Sequence, residues 1–139
     1  MDSNCFYCTK DQRLHDLMIE VCELSASTLY LFKEQTYKGR CIVAFKGHKR
    51  ELFEMNEKEL ELYTRDVARA AKAIKKAFEA DKINYAAYGD RVSHFHMHLV
   101  PKYEGGPKWG EVFELTPVEK IYLSDEGYES MIRLLKVYL

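Results

Sequence analysis

Three histidines alternate with apolar residues in one short segment of the chain, which reads HFHMHLVPK from position 94. Because successive side chains of a β-strand point to opposite faces, a strand here places His94, His96 and His98 on one face and Phe95 and Met97 on the other. Neutral imidazoles can serve as metal ligands, bases or nucleophiles near pH 7. The spacing is therefore compatible with a metal site or with covalent catalysis by the middle ring, and also with three half-exposed histidines that have no function.

A second candidate site lies near the N-terminus, where Cys5 and Cys8 are separated by two residues. This spacing allows both thiolates to bind one metal ion. Redox chemistry is the alternative, but thioredoxin-like enzymes place such a pair after a strand in a βαβ unit, and no such unit is predicted here.

The elements that must position these side chains are marked by patterning. Segments 27–32 and 40–45 are rich in β-branched and aromatic residues, which favours strands, and the polar connection 33–39 ends in glycine, which predicts a hairpin. Two further strands are predicted at 83–88 and 93–100.

Pro101 follows the second of these strands and is expected to end ordinary ladder pairing, since proline has no amide hydrogen to donate. Asp90 and Arg91 are expected near the turn between the two strands. At the N-terminus, Leu14, Leu17, Met18 and Val21 recur at a weak helical spacing, which favours a helix there.

A long helix is predicted from about 57 to 80. Asn56 and Glu59 have capping-box spacing at its start. Its apolar residues recur every 3.6 positions and are Leu60, Tyr63, Val67, Ala70, Ala71, Ile74 and Phe78. A second helix is predicted at 125–138, with Ser124 as its cap. Hairpins on both sides of a helix indicate an antiparallel sheet with helices on one face, an α+β fold.

The composition of the chain limits the classes of protein to which it can belong. With 139 residues, 47% hydrophobic and 31% charged, the chain is expected to be one soluble globular domain. Its 21 basic and 22 acidic residues offer no general electrostatic attraction to nucleic acid. It has no apolar run of about 18 residues and no signal-peptide pattern, so we expect a cytoplasmic protein without a membrane partner, whose cysteines stay reduced.

The histidine segment followed by Pro-Lys resembles the signature of the histidine triad (HIT) family of nucleotidyl hydrolases and transferases. The resemblance covers about residues 5–103, including the hairpin, the long helix and the strand before Gly89. It implies a sheet of about five antiparallel strands carrying the long helix and the C-terminal helix. The chain is expected to be a single domain over 1–139, with its core at about 5–103 and a C-terminal extension at 104–139.

The resemblance also implies roles for the three histidines. His96 matches the nucleophile that accepts a nucleoside monophosphate and later yields it to water. His98 matches the ring that binds the scissile phosphate region, and His94 the position that orients the others. The expected substrate is a dinucleoside polyphosphate, a nucleoside phosphoramidate or a similar nucleotide, and the chemistry requires no cofactor.

Substrate contacts are implied at three further positions, Glu34, Asn84 and Asp90. The alternative interpretation of Glu34 is a solvated turn residue without a function. The alternative interpretation of Asn84 is an ordinary polar residue at the edge of a strand. Asp90 departs from the amide common in relatives and is unfavourable beside a phosphate unless it is protonated or paired, for which Arg91 is available. Arg40 also departs, because many relatives have Gly-His where this chain has Gly39-Arg40.

Some relatives bind structural zinc through a cysteine pair and two histidines. The matching positions here are Cys5, Cys8, His48 and His94, which would form a Cys2His2 tetrahedron. Relatives commonly form homodimers, so a homodimer is expected. Two other functions remain open from the sequence: a nucleotide-binding sensor or scaffold with little turnover, which Asp90 favours, and a pure metal-binding protein that uses all three histidines of the triad.

Overall fold

A computed structural model describes residues 2–139, and its centre is a five-stranded antiparallel sheet. The strands are β1 (Met18–Glu23), β2 (Ser27–Phe32), β3 (Cys41–Phe45), β4 (Lys82–Ala87) and β5 (His96–Lys102). Their spatial order is β1-β2-β3-β5-β4. The helices are α1 (Phe6–Thr9), α2 (Gln12–Leu17), α3 (Glu57–Phe78) and α4 (Asp125–Tyr138), with a short 3-10 turn at Leu52–Glu54. The α+β fold with both predicted helices is confirmed.

Helix α3 forms as its sequence predicts. The Asn56 side chain accepts a hydrogen bond from the Glu59 amide, and the Glu59 carboxylate accepts one from the Asn56 amide, both at 2.9 Å. Both donors would otherwise lack a partner at the helix start. The apolar stripe of α3 packs on one face of the sheet, where the Tyr63 hydroxyl donates to the Val43 carbonyl over 2.7 Å. Helix α4, capped by Ser124, packs against α3.

The opposite face of the sheet carries the histidines. Tyr7 of α1 and Leu14 of α2 pack on this face against Tyr30 and Ile42. Farther along, Phe113 packs on it from the segment between β5 and α4. The sheet thus separates an apolar core under the long helices from a face that is open to polar groups. Among residues 2–139, no helix combines the length and apolar character needed to cross a membrane.

The weak helical spacing near the N-terminus holds only as far as Leu17, because α2 ends there and β1 begins at Met18. Met18 packs on the histidine face and Val21 on the opposite face, so their spacing of three comes from an extended strand. A register shift in the β1–β2 ladder between Glu20 and Cys22 adds to the irregular pattern. Backbone pairing with β2 therefore overrides the weak helical signal.

Strand β5 also differs from the prediction, because it begins at His96 and runs through Pro101 to Lys102. Pro101 lies in register with Ile83 of β4, while pairing with β3 ends at Leu99. Beyond Leu99 the strand has a neighbour on one side only, so a missing amide hydrogen is tolerated there.

Candidate active site and metal centre

A cavity of about 390 Å³ opens beside β5, and His96 and His98 form part of its wall. Its other walls come from α1, the junction of α2 and β1, β2, β3 with the residue before it, the connection after β4 and residues 115–116. This volume is within the usual range of small-molecule sites, about 300–1,000 Å³. The charged side chains in its lining are Arg40, Asp90 and Arg91. The cavity is therefore large enough for a small ligand and carries charges of both signs.

His96 is held in one tautomer by the main chain. Its Nδ1 atom lies 2.6 Å from the carbonyl oxygen of His94. A carbonyl oxygen can only accept, so Nδ1 carries the proton and Nε2 keeps its lone pair. Burial lowers the pKa of His96, so the ring is neutral at pH 7. Nε2 is thus a fixed, unprotonated nitrogen on a residue that lines the cavity.

His98 is held in the opposite tautomer by a side chain. The Arg40 Nη2 atom donates to His98 Nδ1 over 3.1 Å. A guanidinium can only donate, so Nδ1 is the acceptor and the proton of the neutral ring resides on Nε2. Burial, the Arg40 charge and His96 lower the pKa of His98 to about 3. His98 is consequently a neutral hydrogen-bond donor over the physiological pH range.

Arg40 departs from the family pattern, and the sequence alone predicts no role for it. Its guanidinium is fully buried and lies 4.3 Å from the ring centroid of Phe32. Its Nη1 atom donates to the carbonyl oxygen of Leu115 over 3.2 Å. Alternation predicts from the sequence that Arg40 shares a face with Ile42, two residues on, but only the pairing of Ile42 with His98 shows that this is the histidine face.

The four residues expected to bind metal do come together. One ligand atom from each of Cys5, Cys8, His48 and His94 lies within 4.8 Å of the others. His94 Nδ1 is 3.3 Å from Cys5 Sγ, 3.6 Å from Cys8 Sγ and 3.2 Å from His48 Nδ1. Ligand separations of about 3.3–3.8 Å follow from tetrahedral zinc with ordinary bond lengths. The donor set and its spacing therefore fit zinc.

The tautomer of His94 suits this role. Its Nε2 atom donates to the Phe45 carbonyl oxygen over 2.6 Å, which leaves the Nδ1 lone pair for a metal. His96 and His98 use their Nδ1 atoms for other partners and do not belong to this cluster. The described residues therefore do not form a metal site from all three histidines of the triad. All four cysteines are free thiols, as expected.

The three residues expected to contact substrate lie in different places. Asp90 lines the cavity, and no ion pair joins it to Arg91. Glu34 is buried outside the cavity lining, where its carboxylate accepts from the Thr36 hydroxyl over 2.7 Å and from the Ile121 amide over 2.8 Å. These donors come from the chain's own backbone and hydroxyl groups, so Glu34 is not a solvated turn residue. Its contact with a substrate stays a prediction.

Asn84 is also placed away from the cavity. It lies on edge strand β4 opposite Val100, four residues beyond His96 along β5, a distance of about 13 Å at the usual rise of a strand. Asn84 is therefore not a wall residue of this cavity, and its contact with a substrate stays a prediction.

Comparisons with known proteins agree with this arrangement. The family model named HIT domain matches residues 16–105, more than half of the chain. Protein hit of Bacillus subtilis is 30% identical over 90 residues, which cover 61% of this chain and 62% of that protein. The chain thus spans less than two thirds of that relative's length.

Solved structures with the same fold include the following two. A histidine triad (HIT) protein of Sinorhizobium meliloti superposes with a TM-score of 0.80 at 24% identity, covering 93% of this chain and 95% of that one. A zinc-bound histidine triad family protein from Mycobacterium smegmatis has a TM-score of 0.67 at 22% identity, covering 96% and 91%. Given the family-model match over residues 16–105, this chain belongs to the HIT family.

Proposed function

We propose that this chain cleaves a nucleotide at phosphorus through a covalent nucleotidyl-His96 intermediate. The substrate class is a dinucleoside polyphosphate, a nucleoside phosphoramidate or a similar compound. The observation that carries the proposal is the 2.6 Å hydrogen bond from His96 Nδ1 to the His94 carbonyl, which leaves Nε2 as a free nucleophile. Membership in the HIT family supports nucleotide chemistry at this site.

The reaction would proceed in two displacements. In the first, the Nε2 lone pair of His96 forms a bond to the α-phosphorus, and the bond from phosphorus to the leaving group breaks with its electron pair going to the leaving group. In the second, water attacks phosphorus, the electron pair of the P–N bond returns to His96 Nε2, and the nucleoside monophosphate leaves while the proton that water loses passes to solvent. His98 Nε2–H would donate to a phosphate oxygen and stabilise charge that develops in both transition states.

Zinc is the metal that we propose for the Cys2His2 cluster, with a structural role. Cys5, Cys8, His48 and His94 supply two thiolates and two imidazoles, the donor set of closed zinc sites. When bound, zinc would supply a rigid link between α1 and the segment before β5. His94 would then hold its carbonyl oxygen in place for His96.

The test is His96→Ala, assayed by turnover of adenosine phosphoramidate and diadenosine polyphosphates. We expect turnover to fall by about a thousandfold or more, because no other group replaces the attacking nitrogen. His15→Ala is the matched control, since it removes an exposed imidazole from α2. Turnover by His96→Ala equal to that of the unmodified protein would reject His96 as the nucleophile.

A nucleotide sensor with little turnover is the second candidate, and Asp90 in the cavity wall favours it, because a carboxylate opposes a phosphate nearby. Rapid quenching of the reaction with a labelled nucleotide separates the two. A labelled adduct on His96 supports the enzyme, whereas tight binding without adduct or product supports the sensor.

A homodimer belongs to the same proposal. Strand β4 is an edge of the sheet, and its Tyr85 side chain is 53% exposed. An edge strand offers unpaired backbone groups to a second copy. Sedimentation equilibrium of the purified protein tests this, and a monomer at all concentrations would contradict it.

A further inference from the structure

Arg40 is a buried cation without an ion-pair partner. Its side chain is fully buried, and none of the ion pairs among residues 2–139 includes it. Glu34 is the acidic group with the largest electrostatic influence on it, but that carboxylate is engaged by Thr36 and Ile121. Burial lowers the pKa of Arg40 to about 10, so the guanidinium remains charged at pH 7.

One guanidinium nitrogen has no acceptor at all. Nη2 donates to His98 and Nη1 to the Leu115 carbonyl, but Nε has no hydrogen-bond partner, the one such fully buried side-chain atom among the described residues. A buried charge with an unused donor costs free energy unless something compensates it. Because Arg40 lines the cavity, an anion bound there would supply the missing charge.

The surroundings of Arg40 fix its orientation. The rings of Phe32 and Phe113 lie 4.3 and 5.4 Å from its central carbon. Phe113 and Leu115 belong to the segment between β5 and α4, beyond the residues that match the family model. This chain therefore holds a preorganised cation under its cavity with groups from its C-terminal extension.

Arg40 also determines what His98 can offer a ligand. A partner that can only donate makes His98 Nδ1 an acceptor, so the ring's one proton lies on Nε2. A partner with both donor and acceptor groups would allow either tautomer. The direction of the hydrogen bond is thus set by the chemistry of the Arg40 side chain.

We propose that Arg40 makes this end of the cavity an anion site, by holding His98 as an Nε2–H donor and by providing a positive charge that a nucleotide phosphate compensates. Arg40 is a positioning residue, since it acts on the ligand through His98 and through its field. The inference rests on the proposed function, because it assigns the phosphate of that substrate to this site.

The first test is the tautomer of His98 in the unmodified protein, read from the ring nitrogen signals in ¹⁵N NMR and assigned with His98→Asn. We expect protonated Nε2 and unprotonated Nδ1. In Arg40→Met we expect this preference to be lost, and in Arg40→Lys we expect it to be kept, because ammonium is also a donor only. Protonated Nδ1 in the unmodified protein would overturn the proposal before any Arg40 variant is measured.

The second test compares the affinities of adenosine monophosphate and adenosine, which differ by the phosphate. We expect the monophosphate to bind more tightly, and the ratio to fall by about tenfold to a hundredfold in Arg40→Met and Arg40→Gln. Arg91→Met is the matched control, because it removes another cation from the cavity wall without a bond to His98. An equal fall in Arg91→Met would overturn the proposal in favour of general charge attraction.

These outcomes are separable from those of the proposed function. A His96 adduct together with an unchanged affinity ratio in Arg40→Met leaves the nucleophile intact and overturns the role of Arg40. A ratio that depends on Arg40, without any adduct, supports the anion site and rejects the covalent reaction. An Arg40→Met protein that is less stable, with the same ratio and the same His98 tautomer, shows that Arg40 is structural only and overturns the proposal.

Discussion

His96 Nδ1 donates to the backbone carbonyl of His94 over 2.6 Å, and the ring of the same His94 lies in the Cys2His2 cluster. One residue thus joins the proposed nucleophile to the candidate metal site through a single short stretch of backbone. Tyr7, from the helix that follows Cys5, packs its ring 5.3 Å from His94 and 4.9 Å from His96. A change at the cluster should therefore reach His96.

Replacement of Cys8 by serine should remove the metal. We expect zinc content to fall from about one ion per chain to near zero, and the free energy of unfolding to fall by about 2 kcal/mol or more, since bound metal stabilises the folded state alone. Elemental analysis and urea denaturation measure both. Cys22→Ser is the control, because Cys22 is a thiol outside the cluster. Unchanged stability and no zinc in the unmodified protein would end the assignment.

Stability should depend on pH through His98. Its pKa is lowered to about 3 in the folded protein and lies near 6.5 when unfolded, so below pH 6.5 the unfolded state binds the extra proton. The contribution of neutral His98 to the free energy of unfolding is therefore complete above pH 6.5 and is lost as the pH falls toward 3. We expect the free energy of unfolding to fall by about 2 kcal/mol between pH 7 and pH 5 because of His98.

Urea denaturation at the two pH values, on the unmodified protein and on His98→Asn, measures this contribution as the difference between their losses. His15→Asn controls for the removal of an exposed imidazole. Equal losses in the unmodified protein and His98→Asn would contradict a neutral, buried His98.

Asp66 should be the most sensitive carboxylate for folding. It is buried on α3 and accepts from the amides of Ser25 and Ala26 and from the hydroxyl of Ser27, at 3.1, 2.7 and 2.7 Å. Asp66→Ala leaves these donors unpaired, so we expect the free energy of unfolding to fall by about 3 kcal/mol. Asp66→Asn should lower the free energy of unfolding by less than Asp66→Ala does. The surface change Glu61→Ala should lower it by about 0.5 kcal/mol or less. Similar stability of Asp66→Ala and Glu61→Ala would refute this.

Asp90 should weaken the binding of anions. Its carboxylate lines the cavity and is not ion-paired, so Asp90→Asn should tighten binding of adenosine monophosphate by about two- to fivefold through lost repulsion. Affinity for adenosine should hardly change. Calorimetric titration with both compounds checks this, with Asp16→Asn as a control outside the cavity lining. Weaker binding of the monophosphate by Asp90→Asn would mean that the carboxylate assists the ligand.

Local patterns were sufficient for α3, α4 and four of the strands. The helix between Asn56 and Glu79 could be predicted because capping and a 3.6-residue apolar period act within a few residues. Strand β1 and the extension of β5 through Pro101 could not be predicted in this way, because both depend on which strands pair with them. Spacing indicated Cys5 and Cys8 as candidate metal ligands, and the family resemblance added His48 and His94. The structure shows that these four side chains meet.

The sequence by itself determined that His96 and His98 share a face, because alternation along a strand is a local property of the backbone. Only the tertiary structure decided what each ring can do. The carbonyl of His94 and the guanidinium of Arg40 impose opposite tautomers on the two rings. Arg40 is 58 positions away from His98 in the chain, so no local pattern could reveal that the pairing of β3 with β5 brings them together.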